Sequence, residues 1–282
     1  MDYQQTVSKS GTLSGIGLHL GKSIKLKIIP LKENSGIIFK RSDISYNNII
    51  PAKFYNVINT KLCTEIANNS GVKIATIEHL MAAFWGMEID NVLVEVDGPE
   101  IPAMDGSAKD FIKLIKDLGI QKQGQKRKKL KILNTIKVMQ GDKEITVSNS
   151  DDFIIDFSID FEHQSIGKQT HKYGDLQVFE KEIGNARTFG FANEIKYLKK
   201  KGLAKGASLE NAIGIDDGGV MNFGGLRYKD EFVRHKILDF IGDIFMSGYR
   251  IIGNFQAKKA GHSLNNEILK KIFQIPKSYE IV

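Results

Sequence analysis

The stretch Arg234–Asp243, reading RHKILDFIGD, carries one imidazole and two carboxylates at a regular spacing. His235, Asp239 and Asp243 stand four residues apart, which places all three on one stripe of an α-helix. Apolar residues fill most of the other positions, so the helix is predicted to be largely buried. Buried carboxylates are costly unless something neutralises them, and a histidine and an aspartate one turn apart suit a divalent cation. The plainer alternative is a His–Asp pair that closes one helix face.

Glu78 and His79 lie in a second predicted helix, over residues 75–87, for which Thr76 is the expected N-cap. His79 would complete a set of two histidines and one aspartate. Three protein ligands with an open fourth position are typical of catalytic rather than structural zinc sites. Glu78 is then a candidate to accept a proton from water, and it need not bind the ion, because neighbouring helical residues point about 100° apart. The alternative is an ordinary surface pair.

Two loop segments hold further polar candidates. His262 lies in a glycine-flanked loop before a helix expected to be capped by Ser263, and Asp243, two turns along the stripe from His235, could hold an imidazole in one orientation. In the segment NARTFGF, Thr188 could hydrogen-bond a developing oxyanion. The alternatives are a solvent-exposed loop histidine and a common loop threonine.

The composition is that of an ordinary globular protein, with 282 residues, of which 41% are hydrophobic and 26% charged. The net charge is +7, and residues 126–282 carry 26 basic and 20 acidic side chains against 14 and 13 in residues 1–125. This basic second half suits an anionic substrate, a nucleic acid or an anionic membrane surface, and its charge alone does not distinguish these three partners.

Several features favour the cytoplasm. The single cysteine, Cys63, excludes an intrachain disulfide and indicates a reducing compartment. The N-terminal residues lack the apolar core of a signal peptide, and no apolar run reaches the roughly 18 residues of a membrane span. We therefore expect a cytoplasmic protein without a transmembrane segment.

The two halves of the chain share one order of elements. Each half is predicted to run through a helix, a strand, a loop and a second helix, which indicates a duplicated α+β unit. The pairs His79 and His235, Phe84 and Phe240, Gly86 and Gly242, and Ser107 and Ser263 are all 156 residues apart. We predict two domains, residues 1–125 and 126–282, joined by a solvated linker at 121–131.

The expected elements follow from periodicity and turn residues. Strands are predicted within residues 4–30 and at 36–40, 91–96, 131–139, 144–148, 153–161, 170–173 and 248–255. Further helices are predicted at 107–117, 194–201 and 263–273.

Five segments, in order, resemble the motifs of one enzyme family. TIEHLMAA, IPAMDGSA, RTFG, HKILDFIGD and AGHSLNN are similar to those of the UDP-3-O-acyl-N-acetylglucosamine deacetylases, the zinc amidases of lipid A biosynthesis. The resemblance extends from SGIGLHLGK near the N-terminus to the last helix. It implies two α+β domains, each a β-sheet packed on helices, with the helices sandwiched between the two sheets.

The resemblance also implies roles for particular residues. The zinc ligands would be His79, His235 and Asp239. The groups acting on the reaction would be Glu78 as general base, His262 as a second catalytic group, Asp243 as its support and Thr188 at the oxyanion. Substrate contacts would be Phe189, Lys236, Lys259 near the nucleotide phosphates, and His19 and Cys63 in motifs near the metal. An insert near 191–207 would form the passage for the acyl chain.

The implied reaction is hydrolysis of the 2-acetamide of UDP-3-O-acyl-N-acetylglucosamine, with zinc as cofactor and iron(II) as the other metal to consider. We expect a monomer that needs no nucleic acid partner and that is compatible with peripheral membrane contact. Two alternatives stay open at this point. One is a zinc amidase or peptidase for a different amide, and the other is a metal-stabilised binding protein that docks on anionic membranes or RNA through residues 126–131.

Overall fold

A computed structural model describes residues 2–282 and confirms the predicted α+β class. A five-stranded sheet in the order β2-β3-β9-β4-β5 is formed by the first half of the chain. Its strand β3 (Ser23–Pro30) alternates exposed and buried residues, as the pattern SIKLKII predicts. The strands up to this point in the chain are β1 (Tyr3–Val7), β2 (Gly11–Ile16), β3 (Ser23–Pro30), β4 (Ile37–Arg41), β5 (Ile49–Pro51), β6 (Val57–Asn59), β7 (Glu65–Ala67), β8 (Lys73–Ile74) and β9 (Val92–Val96).

A seven-stranded sheet belongs to the second half of the chain, and its central strand, β19, pairs with β11, β13 and β14. The strands of this part are β10 (Ile120–Lys126), β11 (Lys129–Ile132), β12 (Ile136–Gln140), β13 (Lys143–Ser148), β14 (Phe153–Asp160), β15 (Lys168–Tyr173), β16 (Phe189–Phe191), β17 (Ile213–Asp216), β18 (Gly219–Val220), β19 (Arg250–Lys258) and β20 (Tyr279–Ile281).

Five α-helices occur within residues 2–282, and they repeat the predicted order. The first half runs α1, β9, α2 and the second half runs α4, β19, α5. Their bounds are α1 (Glu78–Gly86), α2 (Lys109–Leu118), α3 (Ala192–Lys200), α4 (Glu231–Ile244) and α5 (His262–Gln274). The repeated order is thus seen in the structure, while the division at residue 125 stays a prediction.

Two predicted helix caps are wrong. Helix α1 begins at Glu78, and Thr76 has a left-handed backbone with φ of 59° and directs its hydroxyl to Glu100. Helix α5 begins at His262, one residue before the predicted cap Ser263. In both cases a residue with capping chemistry lies near the helix end, but the local backbone places it elsewhere.

The predicted linker at 121–131 is also wrong, because this segment is built into the fold. Strand β10 pairs antiparallel with β1, and β11 pairs parallel with β19. Arg127, between the two strands, is buried and forms ion pairs with Glu88 at 2.7 Å and Asp90 at 2.8 Å. These ion pairs therefore hold the segment in the fold. The predicted strand at 131–139 forms two strands, β11 and β12.

Helices α1 and α4 pack directly against each other, and this contact brings the two halves together. It is unusually close at Gly242, where an added Cβ would lie 2.0 Å from the carbonyl oxygen of Glu78. At the equivalent position of the first half, a Cβ on Gly86 would lie 2.0 Å from the ring of Phe179. The absence of a side chain at Gly242 therefore lets the N-terminal turn of α1 rest on α4.

We expect Gly242→Ala to lower the free energy of unfolding by about 1–3 kcal/mol, because the added methyl group meets backbone that cannot move aside freely. Denaturant unfolding measures this difference. Gly224→Ala is the control, since a Cβ there meets nothing within 4 Å, and it should leave stability unchanged. Equal stability of Gly242→Ala and the wild type would contradict the close contact.

Candidate metal centre

Two histidines and one aspartate from the two packed helices converge in the protein interior. Each of His79, His235 and Asp239 offers one ligand atom, and these atoms all lie within 4.8 Å of one another. Asp239 Oδ1 is 3.2 Å from His235 Nε2 and 3.4 Å from His79 Nε2. The structure thus brings together the three predicted ligands, which come from both halves of the chain.

The chemistry of this set fits a divalent cation. His235 Nδ1 lies 3.1 Å from the carbonyl oxygen of Ala186, to which it can only donate, so its Nε2 presents a lone pair. Asp239 Oδ1 is buried and accepts no hydrogen bond from the residues that the structure describes. Two lone-pair atoms that face each other in the interior are unfavourable unless a cation lies between them, and burial of His235 disfavours a proton in that place. The arrangement therefore indicates a metal site.

The ionisation of the two α4 ligands is also suited to metal binding. Burial lowers the pKa of His235, which keeps the imidazole neutral and able to coordinate. Burial opposes ionisation of Asp239, but the positive charge that His235 carries when protonated, and the ammonium of Lys236 in either case, hold the pKa of this carboxyl well below its usual range. The Lys236 Nζ is 2.8 Å from Asp239 Oδ2, so the second oxygen is neutralised while Oδ1 remains available.

Glu78 lies beside the metal ligands without belonging to their set. Its Oε2 accepts a hydrogen bond from the backbone N–H of Thr64 at 3.1 Å, and its Oε1 is 3.8 Å from His262 Nε2. Burial raises the pKa of Glu78, although the neighbouring histidines oppose this shift. A carboxylate made more basic in this way is suited to accept a proton.

His262, which is half-buried, and the buried Asp243 form a close pair next to Glu78. His262 Nδ1 lies 2.7 Å from Asp243 Oδ2, and the same oxygen accepts a hydrogen bond from Asn265 Nδ2 at 2.8 Å. Burial by itself would lower the pKa of His262, but the charge and hydrogen bond of Asp243, with Asp239 and Glu78, raise it to about 10. His262 is therefore held as an imidazolium.

Two side chains that sequence reasoning missed hold these groups in place. Thr64 binds Glu78 through its backbone and donates from Oγ1 to Asp243 Oδ1 at 2.6 Å. Asn265 fixes the other oxygen of the same carboxylate. Asn265 could have been found from the segment AGHSLNN, whereas no pattern around Thr64 distinguishes it from other loop threonines.

The predicted substrate-contacting residues fall into different places around this centre. The ring of Phe189 lies 6.3 Å from that of His235 and 5.6 Å from Lys236 Nζ. Thr188 precedes Phe189, and its backbone N–H donates to the carbonyl oxygen of Gly106 at 2.7 Å. These contacts place the RTFG segment at the edge of the metal centre.

One cavity of about 370 Å³ is lined by Lys236 and Lys259 together with Asp160 and Phe161. Lys259 forms ion pairs with Asp142 at 2.9 Å and Asp160 at 3.3 Å. Because Lys236 lines this cavity and also contacts Asp239, the cavity lies next to the candidate metal centre, and its lysines suit an anionic group.

A second cavity of about 280 Å³ is lined by His19, Cys63, Glu65, Glu100 and Leu203. Burial lowers the pKa of His19, and neither ring nitrogen has a hydrogen-bond partner among the described residues. Burial, followed by the charge of Glu78, raises the pKa of the Cys63 thiol to about 12. Burial therefore favours the protonated thiol, and neither residue belongs to the cluster of candidate metal ligands.

The segment predicted as an acyl passage contains α3 and lies over the first half of the chain. The backbone N–H of Lys205 donates to His19 O and that of Gly206 donates to Leu18 O, both at 3.0 Å. A third cavity of about 190 Å³ lies under α3 with mostly apolar walls that include Ile195, Leu209 and Met221. Among residues 2–282, no helix has the length and apolar character needed to cross a bilayer.

Comparison with known proteins assigns the chain to one enzyme family. Residues 4–274 match the family model for UDP-3-O-acyl N-acetylglycosamine deacetylase, LpxC. The chain is 46% identical over 282 residues to the UDP-3-O-acyl-N-acetylglucosamine deacetylases of Pasteurella multocida (strain Pm70) and Histophilus somni (strain 129Pt). It is 45% identical to that of Haemophilus influenzae (strain 86-028NP), and each alignment covers 99% of this chain and 92% of the relative.

Both the family match and these identities extend over nearly the whole chain. The chain therefore belongs to the UDP-3-O-acyl-N-acetylglucosamine deacetylase family, as the resemblance of its five motifs indicated.

We expect His235→Ala to weaken binding of a divalent metal at least tenfold, because one of three protein ligands is removed. Metal content after dialysis, measured by mass spectrometry, reports the change. His163→Ala, in the turn after β14, is the matched control and should keep the wild-type metal content. A fully loaded His235→Ala protein would remove His235 from the ligand set.

Proposed function

We propose that this protein hydrolyses the 2-acetamide group of UDP-3-O-acyl-N-acetylglucosamine, releasing acetate in the committed step of lipid A biosynthesis. The observation that carries the proposal is the buried cluster of His79, His235 and Asp239 beside Glu78 and His262. It occurs in a chain 46% identical to deacetylases that act, by their names, on this class of UDP-sugar.

We propose zinc as the metal, with iron(II) as the alternative, because two imidazoles and one carboxylate suit either ion. The chemistry that such an ion supplies is polarisation of the acetamide carbonyl and activation of a water molecule. The protein contributes the cage itself. The hydrogen bond from His235 to Ala186 O fixes one imidazole, and Lys236 fixes the carboxylate of Asp239.

Glu78 is the proposed general base. It is adjacent in sequence to His79, it lies outside the ligand cluster, and it is oriented by the N–H of Thr64. Its raised pKa increases its tendency to accept the proton of the attacking water. As the carbonyl oxygen becomes negative, the hydroxyl of Thr188 is the proposed hydrogen-bond donor to it.

His262 is the proposed second catalytic group. As an imidazolium held by Asp243, it places positive charge 3.8 Å from Glu78, next to the position where negative charge develops. The proton carried by His262 or by Glu78 can then pass to the leaving amine, which becomes the 2-amino group of the product.

The substrate contacts follow from the cavities. Lys236 and Lys259 line one cavity, and Lys259 is the proposed contact of the nucleotide phosphates. Phe189 is the proposed contact of the sugar beside the metal centre. His19 and Cys63 line the neighbouring cavity as proposed substrate contacts. The apolar cavity under α3 is the proposed passage for the acyl chain.

We further propose a cytoplasmic monomer that touches membranes only at their surface. The thiol of Cys63 is free and buried, which suits a reducing compartment. The fully exposed ring of Phe223 and the lysine-rich helix α3 support transient contact with an anionic lipid surface, from which an acylated substrate could enter.

We expect Glu78→Gln to keep the wild-type metal content and to lose activity by about 10²–10⁴-fold, because the proton acceptor is removed while the ligands remain. Acetate release from UDP-3-O-acyl-N-acetylglucosamine measures this loss. Glu267→Gln, on the exposed side of α5, is the control and should be fully active. Loss of the metal in Glu78→Gln would show that Glu78 is a ligand and that the base lies elsewhere.

The same assay separates the proposal from its rivals. Acetate should be released only if the UDP-sugar carries its 3-O-acyl chain. Equal turnover of the sugar without that chain would favour an amidase of different specificity. No turnover with salt-sensitive binding to RNA or anionic vesicles would favour the binding-protein alternative, although Arg127, Lys129 and Lys131 of its basic segment are already engaged in ion pairs.

We expect Asp243→Asn to move the alkaline fall of kcat/KM to lower pH. His262 is charged below its pKa, and the carboxylate of Asp243 is a main cause that raises this pKa. Without that charge the pKa falls, so the imidazolium is lost earlier as the pH rises. A pH–rate profile measures the shift, with the exposed Asp151→Asn as control. An unchanged profile would show that His262 does not act as an imidazolium.

A further inference from the structure

A separate cavity of about 290 Å³ lies between the two halves of the chain, away from the metal centre. Lys53 and Met81 line it from the first half, and Phe245 and Arg250 line it from the second half. None of the metal ligands lines its wall, and neither Glu78 nor His262 does. The cavity is thus distinct from the proposed active site, although its wall includes residues of α1 and of the turn that follows α4.

Arg250 is the most unusual residue of this cavity. It is only 8% exposed, and within residues 2–282 it forms no ion pair with a carboxylate. One nitrogen, Nη2, donates to the carbonyl oxygen of Trp85, whereas Nε is buried without a partner among the described residues. The guanidinium lies 5.2 Å from the Trp85 ring centroid and 5.8 Å from that of Phe245. These rings orient the charge but do not neutralise it.

Lys53 is a second cation without a counterion in the same wall. Its Nζ rests over Gly248, where an added Cβ would lie 1.8 Å from it, and 5.7 Å from the ring centroid of Tyr249. No carboxylate of residues 2–282 pairs with it, and burial lowers its pKa. A buried charge is unfavourable unless it is paired, so the buried Arg250 favours an anion beside it, and the half-buried Lys53 adds a second unpaired cation to the same wall.

Arg127 is a cation of the same cavity whose charge is paired with carboxylates. It also lines the wall, but its guanidinium is fully engaged by Glu88 and Asp90. Asp90, the one carboxylate of the described lining, is therefore bound by Arg127, and Asp90 and Glu88 act on Arg250 without pairing with it. The exposed Lys128 adds a further positive charge at the rim, so the wall is left with a surplus of positive charge.

We propose that this cavity binds a small, multiply charged oxyanion of the phosphate class between Lys53 and Arg250. A guanidinium offers planar N–H donors that match the geometry of phosphate oxygens, and a lysine adds a compact charge. Because Lys53 belongs to the first half and Arg250 begins the central strand β19 of the second, the bound anion joins the two halves. The site lies outside the proposed reaction and binds its ligand independently of it.

Trp85 makes the proposal directly testable. It is the only tryptophan of the chain, and the guanidinium of Arg250 contacts its ring. Inorganic phosphate is titrated into the full-length protein at constant ionic strength, with sodium chloride as the replaced salt because salt screens such contacts. We expect a saturable change of tryptophan fluorescence together with a rise in Tm.

Variants identify the place of binding. Lys53→Met should weaken phosphate binding at least tenfold, and Arg250→Lys, which keeps the charge but loses the planar donors, should weaken it as well. Lys270→Met, on the exposed side of α5, is the matched control, and Lys259→Met tests the other basic cavity; in both, the Trp85 signal should titrate as in the wild type. The absence of a saturable signal in the wild type would overturn the proposal. So would a Lys53→Met protein that titrates normally, or a signal lost in Lys259→Met alone.

Discussion

The structure depends on how three acidic side chains are accommodated where helices α1 and α4 meet. Glu78, Asp239 and Asp243 are all nearly inaccessible to solvent, and charges in such a place need compensation. Each of the three carboxylates is compensated by a different set of groups. Lys236 and the two histidines face Asp239, the N–H of Thr64 binds Glu78, and Asp243 is held by His262, Thr64 and Asn265. These differences are the basis of the different chemical task that we propose for each carboxylate.

The duplicated architecture explains why the centre lies between the halves. Each half supplies a helix with a histidine at the same position of the repeat, but only the second half adds a carboxylate one turn later, where the first half has Ala83. The two helices approach closely because Gly242 has no side chain to hold them apart. The first half thus contributes His79 and Glu78, and neither half contains a complete set of ligands.

The sequence was most informative where one periodicity or one motif is contained in a short stretch. The stripe of His235, Asp239 and Asp243 on α4 follows from the helical repeat alone, and the alternation in β3 follows from the strand repeat. Predictions failed where a local preference met a non-local contact. The polar segment around Arg127 reads as a linker, yet ion pairs with Glu88 and Asp90 bury it between two strands.

The sequence alone therefore determined the α+β class, the repeated order of helix, strand and helix, and the identity of the residues that could bind a metal. Only the tertiary structure decided that His79 faces the α4 pair, that Thr64 links Glu78 to Asp243, and that Lys53 and Arg250 share a cavity without an anionic partner. The physical reason is distance along the chain. Spacing fixes which side chains share a face of one element, whereas contacts between distant segments depend on how the faces pack.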